Sequence, residues 1–237
     1  MSTVAETAGL EVVDLETTSV RDINQRLHDI GRGAPGPRRF RVVNPSGAHA
    51  LACGLDGELE VEIQGHVGYY CAGMNKRATV RVRGNASTGI AENLMSGLVE
   101  VDGNVSQSAG ATGRGGLLVV RGNASSRCGI SMKGIDIVVG GDVGHMSAFM
   151  AQRGTLVVCG DAGDALGDSI YEARLYVRGT VTGLGADCIE KEVRDEHVEQ
   201  VRRLLEAAGV EADPADFRRY GSARQLYTFK IDNAGAY

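Results

Sequence analysis

One glycine returns at every nineteenth residue between positions 65 and 179, and this period constrains the fold more than any other feature of the sequence. A similar short sequence motif surrounds each of these glycines, as in V-R-V-R-G-N-A, L-V-V-R-G-N-A and L-V-V-C-G-D-A. A fixed period of about this size is typical of stacked structural repeats. The period glycines are Gly65, Gly84, Gly103, Gly122, Gly141, Gly160 and Gly179.

Each repeat predicts one short β-strand. The residues two and four positions before each period glycine are Val, Ile or Leu, and apolar residues spaced by two lie on the same side of a strand. The period glycine is predicted to supply a positive φ for a tight turn. Asn or Asp follows most of these glycines, as at Asn85 and Asp142, and both residue types tolerate such a backbone. The seven glycines are therefore predicted to be structural turns.

The rest of each repeat is rich in Gly, Ala and Ser. Nineteen residues at about 3.3 Å each give a coil with a perimeter of about 60 Å, which leaves little room for bulky corners. One such coil cannot bury its own apolar face, whereas a stack of coils can. We therefore predict an all-β fold, a single-stranded parallel β-helix of about seven 19-residue coils with short helical flanks. The coil lacks the hexapeptide steps of left-handed β-helices, which favours a right-handed one.

The successive G-[ND]-[AV] turns, with small residues between them, resemble the GXGXG domain at the carboxyl end of the glutamate synthase large subunit. The resemblance covers residues 47–186 by repeat, and it implies a right-handed β-helix. The aromatic end of the chain resembles the ends of stand-alone GXGXG subunits in N-methylglutamate synthase-type complexes.

The sequence divides into an N-terminal segment (1–39), the GXGXG β-helix domain (40–186), and a C-terminal helix with an aromatic docking tail (187–237). In the first segment, Ser19 is predicted to cap a helix that Gly31 closes and that packs on the end of the β-helix or on a partner. Ser46 lies nineteen residues before the first period glycine, which predicts a degenerate coil ahead of the seven.

The third segment is predicted to begin a helix at Asp187, with Glu190 completing a capping box and Gly209 closing the helix. On the outward side of the repeat strands, the middle residue is charged in the first three repeats and apolar in the next four. We expect either the C-terminal helix or another subunit to cover this apolar strip. The aromatic tail is suited to docking on a surface. The candidate interface comprises Val119, Val138, Val157, Tyr176, Phe217, Tyr220, Tyr227 and Phe229.

The repeat geometry also tests for an active site. Cys71 and Cys128 occupy the same place in coils three apart, so about 14 Å separates them, too far for a shared metal. His197 is expected to be solvated or at an interface, and no G-x-S-x-G elbow is present. The sequence therefore predicts no catalytic, cofactor-binding or metal-ligating residue on this chain. Two patches, 69–74 and 132–150, are interpreted as core or interface packing.

Charge and composition exclude other classes. A net charge of −5 argues against nucleic-acid binding. Five cysteines without C-x-x-C spacing, and no apolar leader, indicate reduced thiols in the cytoplasm. No apolar run approaches the roughly 18 residues of a membrane span.

The resemblance implies a non-catalytic structural subunit of a glutamate synthase-like hetero-oligomer, specifically N-methylglutamate synthase, which forms N-methyl-L-glutamate from glutamate and methylamine. It implies two partners: a class II glutamine amidotransferase-like subunit, and an FMN-containing synthase subunit that also carries an iron–sulfur cluster. A glutamate-forming complex and the β-helical subunit of formylmethanofuran dehydrogenase are the alternatives of the same class. A free-standing β-helix enzyme is the alternative of another class, but it would need stacked acidic residues and a secretion signal.

Overall fold

A computed structural model describes residues 9–225 as a parallel β-solenoid of about seven turns with two helices. One strand from each coil stacks on the next in a sheet of eleven strands, ordered β1 to β9, then β11, then β10. The elements are β1 (Leu10–Asp14), α1 (Val20–Gly31), β2 (Arg39–Val43), β3 (Glu60–Gln64), β4 (Thr79–Val82), β5 (Leu98–Val101), β6 (Leu117–Val120), β7 (Lys133–Val139), β8 (Arg153–Val158), β9 (Arg174–Val177), β10 (Cys188–Lys191), α2 (Asp195–Ala208) and β11 (Arg218–Ser222).

The period of nineteen appears directly as the register of the parallel strands. Val80 lies beside Val99, Val99 beside Leu118, and Leu118 beside Ile137. These inward side chains are fully buried, and they form one continuous apolar ladder through the solenoid. The predicted degenerate coil is confirmed with two added residues, because Phe40 pairs with Val61.

The period glycines have a different role from the predicted one. The prediction of a positive φ holds at Gly65 (φ 134°) and is wrong at the other six. A Cβ added to Gly122 would lie 2.4 Å from Asn104 Oδ1 and 2.8 Å from Gly103 O in the preceding coil. These glycines are therefore needed because adjacent coils approach too closely there for any side chain.

The left-handed residues lie at the opposite corner of the coil. Seven residues after the period glycine, the backbone has φ between 55° and 69° in six successive coils, at Ala72, Ala91, Gly110, Gly129, Ala148 and Gly167. The residues five and nine positions after the glycine share this conformation, as Ser108 (φ 61°) and Thr112 (φ 55°) do in the third coil. The small residues noted in the sequence thus mark the left-handed corner, where Gly and Ala are least crowded.

Asn and Asp side chains tie the coils together beside the period glycines. The Oδ1 atoms of Asn85 and Asn104 each accept a hydrogen bond of 2.8 Å from the backbone N–H nineteen residues later. The same bond continues through Asn123, Asp142 and Asp161. These side chains bond between coils, and each one satisfies a backbone N–H of the next coil.

Helix α1 covers the N-terminal end of the solenoid. This is one of the two positions predicted for it, the other being a contact with a partner. Ser19 caps it as predicted, accepting a hydrogen bond of 3.1 Å from Asp22 N. The amide of Asn24 donates to Ala50 O and accepts from Ala52 N, at 2.8 Å each. This side chain therefore replaces the backbone of a missing further coil. The three inward residues of α1, Ile23, Leu27 and Ile30, are buried in the same core.

Candidate functional site

Helix α2 covers the outward apolar strip of the solenoid. Val119, Val138, Val157 and Tyr176 are at most 1% exposed, and they pack against Leu205 and its neighbours on the helix. This is the first of the two predicted alternatives. While α2 is in place the strip is not available to another subunit, so its assignment as a candidate interface is corrected to an intrachain one.

The polar residues at the edges of the strip fix α2 in position. Gln200 donates to Thr155 Oγ1 at 3.0 Å and accepts from Tyr176 Oη at 3.0 Å and Arg174 Nη1 at 2.8 Å. At the other end of the helix, Arg121 donates to Gly209 O at 2.9 Å. These hydrogen bonds link the helix to residues across a span of four coils, and together they hold it in one position along the solenoid.

The start of α2 differs from the prediction. Residues 188–191 form strand β10, and the helix begins at Asp195, with His197 Nδ1 accepting from Arg194 N at 3.0 Å. Asp187 instead accepts from Ser222 Oγ and so belongs to the pairing of β10 with β11. The end at Gly209 is confirmed, with φ 60°.

Two of the predicted docking aromatics lie inside the chain. Phe217 packs with the residues under α2, and Tyr220 lies in the main core, each 2% exposed. Strand β11 places them there by pairing with β9. Tyr227 and Phe229 lie outside the described residues. Up to residue 225, the aromatic residues that were predicted to form a docking surface are therefore buried inside the chain.

Most histidines of the chain hold backbone groups in place. His66 and His49 accept hydrogen bonds of 2.9 Å from Asn85 N and Tyr69 N, and His28 donates to Cys53 O at 2.7 Å. His197 is 4% exposed, so the expectation that it is solvated is wrong. Burial, and then the charge of Arg219, lower the pKa of His197, which keeps its imidazole neutral. These imidazole rings therefore have structural roles.

The five cysteines are free thiols, and none forms a disulfide. Burial raises the pKa of Cys128 and of Cys188 to about 12, and it raises the pKa of Cys71 further. The thiolate is the nucleophile and the metal ligand, so neutral buried thiols are inert. Among residues 9–225, no three His, Cys, Asp or Glu side chains are grouped to hold a metal ion. In the same range, no helix is long and apolar enough to cross a membrane.

The carboxyl group of Asp136 lies beside α2, where its ionisation is unfavourable. Burial raises its pKa, against hydrogen bonds from Thr155 that lower it. A raised folded pKa means that the protonated carboxyl favours the folded state, so stability is lost as pH rises above the ordinary value of about 3.8.

We expect Asp136→Asn to melt higher than the wild type at pH 8, because the amide is never ionised. The difference should shrink as the pH falls towards 4, because the wild-type carboxyl becomes increasingly protonated. Thermal melts across this range check the sign. A variant that is less stable than the wild type at pH 8 would contradict the assignment.

The exposed surface that stands out is an aromatic cluster at the left-handed corner of the first clear coil. Tyr69, Tyr70 and Met74, here called the corner platform, are 48%, 52% and 58% exposed. Tyr69 stacks on His49 with ring centroids 4.5 Å apart and planes within 5°. Within the patch 69–74 noted in the sequence, Cys71 and Ala72 lie in the core.

A groove of about 540 Å³ adjoins the platform, and here we call it the cationic groove. Met74 forms one wall, and the C-terminal end of α1 forms the other. No pattern in the sequence predicts this site, because α1 meets the corner of the coil only through the fold. Its charged or titratable lining residues are His28, Arg32, Asp56, Lys76 and Arg77.

Comparison with known proteins found a full-length relative. The chain is 64% identical to Protein GlxC of Rhizobium meliloti (strain 1021) over 229 residues, which span 96% of this chain and all of that protein. No family model matches the chain. No solved structure matches it either.

Proposed function

This chain belongs to the GlxC family, and from that premise we propose that it is a structural subunit of a glutamate synthase-related complex. We propose further that the complex is an N-methylglutamate synthase, which joins methylamine to glutamate and releases ammonia. The observation that carries the proposal is the uninterrupted G-[ND]-[AV] repeat, which resembles the GXGXG domain of glutamate synthase.

The way the chain uses its reactive side chains supports a structural role. Four of the five histidines bond to the backbone, or take a bond from it, through a ring nitrogen. The thiols have raised pKa values because they are buried. Side chains that are buried or hydrogen-bonded in this way stabilise the solenoid, and they are poor acids, bases or nucleophiles.

The chemistry would then reside on two other chains. A class II glutamine amidotransferase-like subunit would occupy one position on the rod, and an FMN-containing synthase subunit with an iron–sulfur cluster the other. The solenoid supports this because its coils are joined to one another by strand pairing and, from Asn85 to Asp161, by a side-chain hydrogen bond from each Asn or Asp to the next coil.

A passage for ammonia or methylamine, if this subunit helps to form one, would run along its outside. The inward residues of the coils, such as Val99, Leu118 and Ile137, are fully buried against one another. Interiors of this kind are close-packed and leave no channel. The wall of such a passage would therefore lie where the rod meets its partners.

Assembly tests the proposal. The tagged chain is co-expressed with an amidotransferase-like chain and an FMN-containing chain, and the eluted material is analysed for subunits and for flavin absorbance. We expect all three chains and the flavin to elute together. A tagged chain that elutes alone, while the other two form an active complex without it, would rule the proposal out.

A further inference from the structure

We propose that the cationic groove and the corner platform together form the docking site for an acidic segment of a partner subunit, one that carries an apolar anchor side chain beside its carboxylates. The inference rests on the proposed function, since it needs partner subunits. It goes further by naming the surface and the chemistry of the segment that binds there.

The charge of the groove indicates the partner's charge. Arg32, Lys76 and Arg77 line it as three permanent cations, and Asp56 is the one carboxylate among the lining residues. Asp56 is already paired with Arg77 at 2.8 Å and Lys76 at 3.4 Å, whereas Arg32 has no ion pair among the described residues. A local excess of positive charge on a chain of net charge −5 favours a negatively charged partner.

The platform is ordered before any partner arrives. Tyr69 is fixed by its stacking on His49, and its N–H donates to His49 Nδ1. The Cys53 thiol donates to Tyr70 O at 2.6 Å, and the ring of Tyr70 lies over Gly89, where a Cβ would approach it to 2.6 Å. Exposed Tyr side chains that are already held in place bind with little loss of conformational entropy, and both Tyr and Met are enriched at interfaces.

The backbone under the platform adds a second argument. Tyr70 and Met74 have φ of 59° and 60°, a conformation unfavourable for bulky residues. The next coil has Gly89 and Asn93 at the same two places, so the fold itself does not require bulk there. The same left-handed conformation recurs at these places in later coils, as at Met146 and Met150, so it belongs to the fold. The bulk of Tyr70 and Met74 is not needed by the fold and lies exposed beside the groove, which favours a contact outside the chain.

The two sites are contiguous because Met74 belongs to both. A segment lying across them would place carboxylates beside Arg32 and Arg77 and an apolar side chain on the tyrosines. This arrangement of a central aromatic anchor with a charged rim is the usual anatomy of a specific interface.

The test uses the complex of the amidotransferase-like and FMN-containing chains as the probe, with this chain immobilised. We expect the double change Tyr70→Ser with Met74→Ser, and separately Arg32→Glu, to weaken binding at least about tenfold. The matched control is Met146→Ser with Met150→Ser, which removes the side chains at the same two places four coils later; its affinity should stay within about twofold, the scale of a contact outside the hot spot. Binding by the wild type should fall with salt, and Arg32→Glu should reduce that dependence.

The outcomes separate this inference from the proposed function. If the wild type binds the probe and the platform and groove variants, shown by melting to be folded, bind equally well, the inference is wrong and the proposed function stands. If these variants abolish self-association of the isolated chain and leave binding to the probe unchanged, the occupant is a second copy and the inference is wrong. If the wild type does not bind the probe, both fail.

Discussion

Gly122→Ala unfolds the chain at a clearly lower temperature than the wild type. The added methyl group would lie 2.4 Å from Asn104 Oδ1 and under 3 Å from the backbone of Gly103, and the coils cannot separate without breaking the bonds on either side. Overpacking of this kind costs about 1–3 kcal/mol, and a backbone contact belongs at the upper end. The entropy that alanine removes from the unfolded chain offsets at most about 1 kcal/mol.

At about 2–4 °C per kcal/mol for a chain of this size, we expect the melting temperature to fall by roughly 3–10 °C. Gly221→Ala is the matched control, because a Cβ there has no neighbour closer than 3.8 Å and the residue has no positive φ. Calorimetry of the two variants decides the matter. Equal melting temperatures would mean that the period glycines are not required by the approach of the coils.

We expect Leu205→Asp to release helix α2 while the solenoid remains folded. Leu205 is 3% exposed in the cluster that covers the apolar strip, so the change removes a buried side chain, which costs about 2–5 kcal/mol, and places a carboxylate among valines. The solenoid keeps its own ladders, because its strands pair with one another and not with α2. The uncovered strip should then bind a hydrophobic dye.

Hydrogen exchange measures this result element by element. Amides of α2 should exchange rapidly in Leu205→Asp, and those of β5 to β8 should stay protected. Ala207→Asp adds the same charge on the exposed side of the same helix and should leave the exchange of α2 close to that of the wild type. If both variants, or neither, lose the protection of α2, then α2 does not cover the strip in the way described.

The sequence was sufficient for the register of the solenoid, because a period without insertions fixes which residues stack. It also separated the inward from the outward side of each strand, as Val139 and Val138 illustrate, since alternation is a local property. Both are fully buried here, one in the main core and the other under α2. Whether a helix or another subunit covered the outward side depended on a contact between distant parts of the chain.

The errors have a common physical origin. A recurring glycine is compatible with a positive φ and with a close approach of two backbones, and the sequence cannot distinguish these two causes. At Gly122 the structure shows that the close approach is the reason for the glycine. Asp187 fits a helix cap locally, but its pairing with Ser222 across 35 residues places it beside a strand. The cationic groove joins Arg32 to Met74 through the packing of α1 on the first coil, a contact that no pattern encodes.

The reaction that the assembled complex catalyses tests the proposed function of this subunit. The three co-expressed chains are supplied with glutamate and isotopically labelled methylamine, and the products are followed by mass spectrometry, with this chain present and omitted. We expect labelled N-methylglutamate to form with the complete complex and to be lost when this subunit is omitted. Glutamate recovered with no label incorporated, or turnover that does not depend on this chain, would contradict the proposed function.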